Sequence, residues 1–398
     1  MRPQNRLKAL KELVIGEKDM NNYCVKWYKD WRFWLLFIAV NISGNPGFNV
    51  IFPYHAFIII LFIITSYLLI QRQLLVKDFS YIFLWAALFL FQGYYLSEYD
   101  LNSAIHIIMK MTIGVLVLLL VKNKFAEYYS DIIYFFCIVS LLCFTYNHLF
   151  GVLPYIDLGE SMDGGKNYRV TSLVYTQLYN LNVHQLCFRN CGPFWEPGAF
   201  QGFINLAIII ELLVNKDRDK RWYIRMLVFV ISVITTYSTG GYIVLTLNVI
   251  FFLFSNYKLK RSSKIILAVA FLSVALYVFF KTDFLYDKLS NDQSRLGVSS
   301  EDLFSGNLLH ILFGYGLAEE SIAQSNIKSA SSVLNLFRYS GLIGFLLYFI
   351  PIIGIKTDLK RIFFAVNIFL ILMNEPFITA GVIWWSIPLL YPYLTKIQ

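Results

Sequence analysis

Charge is the scarcest ingredient of this chain. Only 15% of its 398 residues are Asp, Glu, Lys or Arg, against roughly a quarter in soluble domains. Hydrophobic residues make up 58%, more apolar surface than a soluble fold of this size can hide, so the expected solvent is a bilayer. Cysteine and histidine are also sparse, at five each, and no cluster of them has the ligand spacing of a zinc site. The chain has no nucleotide-binding glycine pattern, no internal repeat and no low-complexity tract. The first thirty residues are rich in Lys and Arg but hold no short apolar core with a cleavage site, so the reading has no signal peptide and an uncleaved first membrane helix.

Apolar runs fall at about 31–47, 53–70, 79–97, 104–121, 130–150, 198–214, 222–238, 241–255, 264–280, 331–354, 360–374 and 378–395. Each is about long enough to span a hydrocarbon core as a helix. The expected fold is therefore all-α: a single polytopic membrane domain over 1–398 with about twelve transmembrane helices and two large loops, 151–197 and 281–330. If the N terminus is inside, the short inside connections carry Arg72, Lys77, Lys122, Lys124, Lys216, Arg218, Lys258, Lys260, Lys356 and Lys360, among others. The outside connections 44–52, 98–103, 238–241 and 375–379 carry no Lys or Arg. This asymmetry places both termini in the cytoplasm and both large loops outside. The net charge of +9 follows from that topology and does not argue for nucleic acid. Cys187 and Cys191, four apart in the first outer loop, are either a local disulfide or two thiols.

Several ionisable residues gather at the outer level. In "FRNCGPFWEPGAFQGF" (188–203) Pro197 suits the first turn of a helix, and Glu196 would lie where the helix dipole favours a carboxylate. That is a helix-start device; the alternative is a site in which Glu196 acts as a base and Arg189 holds a phosphate. His106 and Lys110 share one helix face. Lys110 and Arg338 lie just inside the outer ends of their runs, where a charge is functional or snorkels to the headgroups. Arg295, in "DQSRLG", is the basic residue of the second loop most suggestive of anion binding, with a solvated loop charge as the other reading. "NEPF" (374–377) repeats the Glu-Pro pair on the same face. Glu211 and Arg225, near the inner end, read as a structural pair or as snorkelling residues.

Three segments resemble the O-antigen polymerases (Wzy-type), within the O-antigen polymerase and ligase superfamily: "FRNCGPFWEPGAFQGF", "STGGY" (238–242), and "LFGYGLAEE" followed by "NLFRYSGLIGFLLY" (312–320 and 335–348). The resemblance covers roughly 150–350 by motif and the rest by hydropathy. It implies a GT-C-like membrane enzyme of the bacterial inner membrane with periplasmic loops. Such an enzyme transfers a growing chain from its undecaprenyl diphosphate carrier onto the next lipid-linked oligosaccharide unit. Membrane lipid and a chain-length regulator protein are implied partners. No metal is implied, and the outer loops hold no Asp-x-Asp pair. The chemistry asks for cations around the diphosphate, for which Arg189, Arg295, Arg338 and Lys110 are candidates, and for a base, Glu196 or His184. Phe194 and Trp195 would line the sugar site. Ala330 and Ser331 stand where related ligases carry a His-Asn pair, which favours a polymerase. The Arg-rich pattern ending in Gly is not found in clean form in either outer loop. The alternatives are an O-antigen ligase or other lipid-linked glycosyltransferase, and a flippase or transporter.

Overall fold

The computed structural model describes residues 30–51, 79–96, 100–160, 166–171, 174–181, 184–215, 218–255, 307–317, 331–354 and 358–395, with isolated residues within 59–70 and 260–273. Most of the expected spans 53–70 and 264–280, most of the loop 281–330, and Cys24 lie outside the described residues.

The chain is mostly helical, and four of the described helices begin at an aspartate whose side chain caps them. Asp30 opens α1 (Trp31–Ile42), accepting from the Arg32 amide and from the Tyr128 hydroxyl at 2.7 Å. The Arg32 guanidinium beside it holds its carboxyl well below the usual carboxylate range. α2 (Pro46–Ile51) follows, then α3 (Ser80–Tyr95). Asp100 caps α4 (Leu101–Val121) by accepting from the Asn102 and Ser103 amides, and a 3₁₀ turn at Lys122–Lys124 leads into α5 (Phe125–Phe150). After the first large loop come α6 (Pro197–Val214), α7 (Lys220–Thr235) and α8 (Thr239–Ser255). α9 (Leu308–Phe313), α10 (Ser332–Ile353) and α11 (Leu359–Asn374) complete the long elements. Leu101–Phe150, Pro197–Val214 and Ser332–Ile353 are, among the described residues, the three helical stretches long and apolar enough to cross a membrane. α3 turns Phe83, Leu84, Leu90 and Tyr94 outward. α6 runs through the centre, buried at every residue from Pro197 to Leu213 and packed against α5, α7, α8 and α11. A helix hydrophobic on all sides is one that has neighbours on all sides.

The structure departs from the expected all-α fold in the first large loop. β1 (Ile156–Glu160), β2 (Lys166–Thr171), β3 (Tyr175–Asn180) and β4 (Gln185–Leu186) form an antiparallel sheet in that order. "KNYRVT" and "YTQLYN" are rich in the aromatic and β-branched residues that suit a half-buried pleated surface, a local signal hidden by the loop's overall polarity. Val170 and Leu178 are buried. Arg169, opposite Gln177 in the ladder, lies between the rings of Tyr155 and Tyr179 at 4.3 and 3.8 Å. The Thr176 amide donates to Gly192 O at 2.6 Å, tying the sheet to the turn that leads into α6.

The last expected span, 378–395, is also corrected. It is a single turn, α12 (Phe377–Ala380), then a 3₁₀ helix (Ile383–Leu389), then α13 (Tyr391–Thr395). Gly381 is extended (φ −109°), and Pro388 and Pro392 withdraw backbone donors that a continuous helix needs.

α10 is broken as well, because Gly341 has φ +61°. Into the break fits the segment after α9. The Tyr315 amide donates to Arg338 O at 2.8 Å and the Gly316 amide to Tyr339 O at 3.2 Å. Gln92 of α3 donates to Tyr339 O at 2.6 Å and also to Phe313 O. A Cβ on Gly314 (φ +82°) would stand 2.6 Å from the Gly341 and Ser340 nitrogens. "FGYG" and "SGLIG" are therefore two halves of one backbone-to-backbone contact. Gly314→Ala and Gly341→Ala should each lower the melting temperature of the detergent-solubilised protein, at a cost of about 2–4 kcal/mol combining strain and overpacking. Gly159→Ala is the comparison: φ is +89° but nothing lies within 4 Å, so its drop should be the smaller.

Candidate functional site

The turn 187–197 is fastened on three sides. Arg189 Nε donates to Thr236 O at 3.0 Å and Nη2 to Tyr237 O at 2.9 Å. These carbonyls follow the C-terminus of α7, where a cation complements the helix dipole. Buried Asn190 bonds Thr235 through its backbone amide, and its Nδ2 donates to Thr235 Oγ1 at 2.9 Å. The Trp195 amide donates to Gly44 O at 3.2 Å, its ring packs on Gly44, and it meets the Phe377 ring edge-on at 5.9 Å. Cys187 and Cys191 are free thiols; burial pushes the Cys191 thiol well above its ordinary value.

The helix-start device expected at Glu196 is present: it is the N-cap residue of α6, and Pro197 occupies the first turn. A second carboxylate joins it. Glu375, only 1% exposed, packs its carboxylate against Gly198 in the first turn of α6, where the dipole favours a negative charge. The Glu375 carbonyl accepts from the Ser332 amide at 3.0 Å and from the Ser332 hydroxyl. Asn374 packs against Gly240 and Gln201 against Gly241, both at the start of α8. "WEPG", "STGG" and "NEPF" thus meet at one end of the bundle, the end that carries the sheet.

At the same end lies a cavity of ≈ 470 Å³, lined by Asn102, Ser103, His106, Ile107, Lys110, Leu317, Tyr339 and Thr379. Lys110 is 9% exposed, and its Nζ donates to Thr379 O at 2.8 Å. Its place on the wall follows from α4: the tenth residue of the helix lies about 13.5 Å below its first. Thr379 sits on α12, one turn beyond Glu375-Pro376. Arg338 is buried on α10 with its guanidinium 5.4 Å from the Tyr339 ring, next to the cavity but not part of its lining. His184 is exposed with φ +49° on the β3–β4 turn. Four residue steps along β3 lead from Thr176 to Asn180, which puts that turn about 13 Å along the strand from the Gly192 anchor. Arg295 lies outside the described residues.

Set against family models, curated proteins and solved structures, the chain matches none.

The structure therefore brings together Arg189, Trp195 and Glu196 on one turn and Lys110 with His106 in the cavity, and it holds His184 apart. The His106–Lys110 pairing was visible as an i, i+4 spacing. Tyr339 and Thr379 had no local signal, since they arrive from other parts of the chain. At the opposite end of the bundle Glu211 and Arg225 do pair, at 3.0 Å, and Asp131 adds a second carboxylate at 2.7 Å. Among the described residues no group of three or more His, Cys, Asp or Glu is arranged to hold a metal.

The bonds of Arg189 make it a brace for the turn. Arg189→Ala should cost about 1.5–3 kcal/mol, the worth of hydrogen bonds to a charged group, read as a fall in melting temperature of the purified protein. Arg189→Lys should recover only part of it, because an ammonium lacks the fork that spans two carbonyls.

Proposed function

We propose that the chain polymerises oligosaccharide units carried on undecaprenyl diphosphate. It would work at the periplasmic face of the bacterial inner membrane as a multi-pass, GT-C-like glycosyltransferase of about twelve spans, with both termini cytoplasmic. The observation that carries this reading is the cavity beside the Glu-Pro turns, with a buried ammonium on its wall. Lipid-diphosphate chemistry needs such a group. The leaving diphosphate gains charge as the glycosidic bond breaks, and a fixed cation in a water-poor wall stabilises that charge at little reorganisation cost. Lys110 takes this role, with Ser103, Asn102 and Tyr339 as neutral donors around it.

The braced turn has a different part. Arg189 is committed to the end of α7, so it positions Trp195 and Glu196 and leaves the diphosphate to Lys110. Trp195 offers a half-buried ring to sugar, and Arg338 and Arg295 remain candidates for the lipid-linked phosphates. Membrane lipid and a chain-length regulator complete the expected partners. No metal is assigned, and no nucleic acid.

The test replaces the chain in its own cells with Lys110→Ala or Lys110→Met and resolves the surface polysaccharide on a gel, with membrane abundance checked. Loss of one charge-stabilising donor typically costs about 10²–10³-fold in turnover, so the ladder should collapse to a single-unit band. A full ladder in both variants overturns the reading. Loss of the single-unit band as well would mean a flippase or a ligase.

A further inference from the structure

We infer that His106 is the base that takes the proton of the acceptor hydroxyl, an assignment that rests on the polymerase reading above. The argument begins with place. The base must share a cavity with the leaving diphosphate, because the attacked anomeric carbon lies between the two. Glu196 and Glu375 stand at the start of α6 and do not line the cavity, and His184 is out on the hairpin turn. Among the lining residues, His106 alone combines a nitrogen lone pair with an ordinary pKa near neutrality.

The surroundings suit the task. Lys110 lies one turn deeper on the same face, within roughly 6 Å between Cβ atoms. A diphosphate held against Lys110 would place its negative charge where it stabilises the imidazolium that forms as the proton arrives. The other groups facing this part of α4 are few. Asp100 is bonded to the Asn102 and Ser103 amides, α10 contributes the Tyr339 phenol and, beside the lining, the buried Arg338 guanidinium, and α12 contributes only the Thr379 hydroxyl. α3 directs Tyr95 to Gly314 O at 2.9 Å. The 3₁₀ helix 383–389 carries no titratable side chain. α1 holds Arg32 and the 3₁₀ turn 122–124 holds its two lysines at the far end of the bundle.

In the step, the acceptor oxygen forms a bond to the donor's anomeric carbon while its proton passes to the imidazole. The anomeric C–O bond to the diphosphate breaks, and its electron pair leaves on the phosphate oxygen. The imidazolium then returns its proton to water or to the departed diphosphate before the next unit enters.

The experiment uses the full chain in lipid nanodiscs with lipid-diphosphate-linked repeat unit extracted from cells lacking it. Elongation rate is measured from about pH 5 to 9. Wild type should lose kcat as pH falls through the histidine range, about 6.5 in an unperturbed residue. His106→Gln and His106→Asn, each with a wild-type melting curve, should lose about 10²–10⁴-fold in kcat, keep their KM, and show no acid limb. A variant that turns over at the wild-type rate, or keeps the acid limb, overturns His106 as the base and leaves the polymerase reading intact. Wild type that binds the repeat unit and makes no polymer overturns that reading and this assignment together.

Discussion

Close approach of three helices governs the rest of the structure. α6, α8 and α11 come together at one end because glycine stands wherever one of them would otherwise collide with a neighbour's polar side chain. Gly198 makes room for the Glu375 carboxylate, Gly240 for Asn374 and Gly241 for Gln201. Between chains dissolved in lipid there is little hydrophobic drive to associate, and small residues that admit close contact supply dispersion and hydrogen bonding in its place. Two of these helices, α6 and α8, share a buried amide ladder. Asn205 Nδ2 donates to Gln201 Oε1 at 2.9 Å, and Asn248 Nδ2 donates to Asn205 Oδ1 at 3.2 Å. Polar groups in such a core fix one register, since a shifted helix would strand them.

That contact also sets the candidate site. Glu375 ends α11 against the start of α6, so the chain leaves α11 at a fixed angle and α12 must begin beside α4. There the carbonyl of Thr379 meets Lys110. The cavity is thus the space left where α12 is held away from α4 and the Gly314–Gly316 segment is held against α10. Its charge comes from α4 alone, and its shape comes from three distant segments.

Much of this was legible in the sequence, for a simple reason: apolar runs and caps are local. Asp100, Asp219 and Asp358 stand at the N-caps of α4, α7 and α11, and the runs 104–121 and 198–214 fall within or against α4 and α6. Glu196-Pro197 read correctly as a helix start. The sheet was missed because two good strand patterns sat in a segment taken as polar loop. The final run was misread because mean apolarity cannot see that Pro388 and Gly381 break it. Site residues divided the same way. The i, i+4 pairing of His106 with Lys110 is a property of one helix, whereas Arg189's attachment to α7 depends on a meeting of segments nearly fifty positions apart, which no local pattern encodes.

Ser43, at the end of α1, accepts a hydrogen bond at 2.9 Å from the amide of Ile383, and the carbonyl of Val382 presses on Gly114 of α4. Trp85 of α3 meets Trp385 edge-on at 5.1 Å. The inner faces of α1, α3 and α4 are therefore packed by a segment up to 340 positions further along the chain. Until residues 382–385 have been made, the groove between those helices stands open, and a quality-control protease would find it before a substrate did.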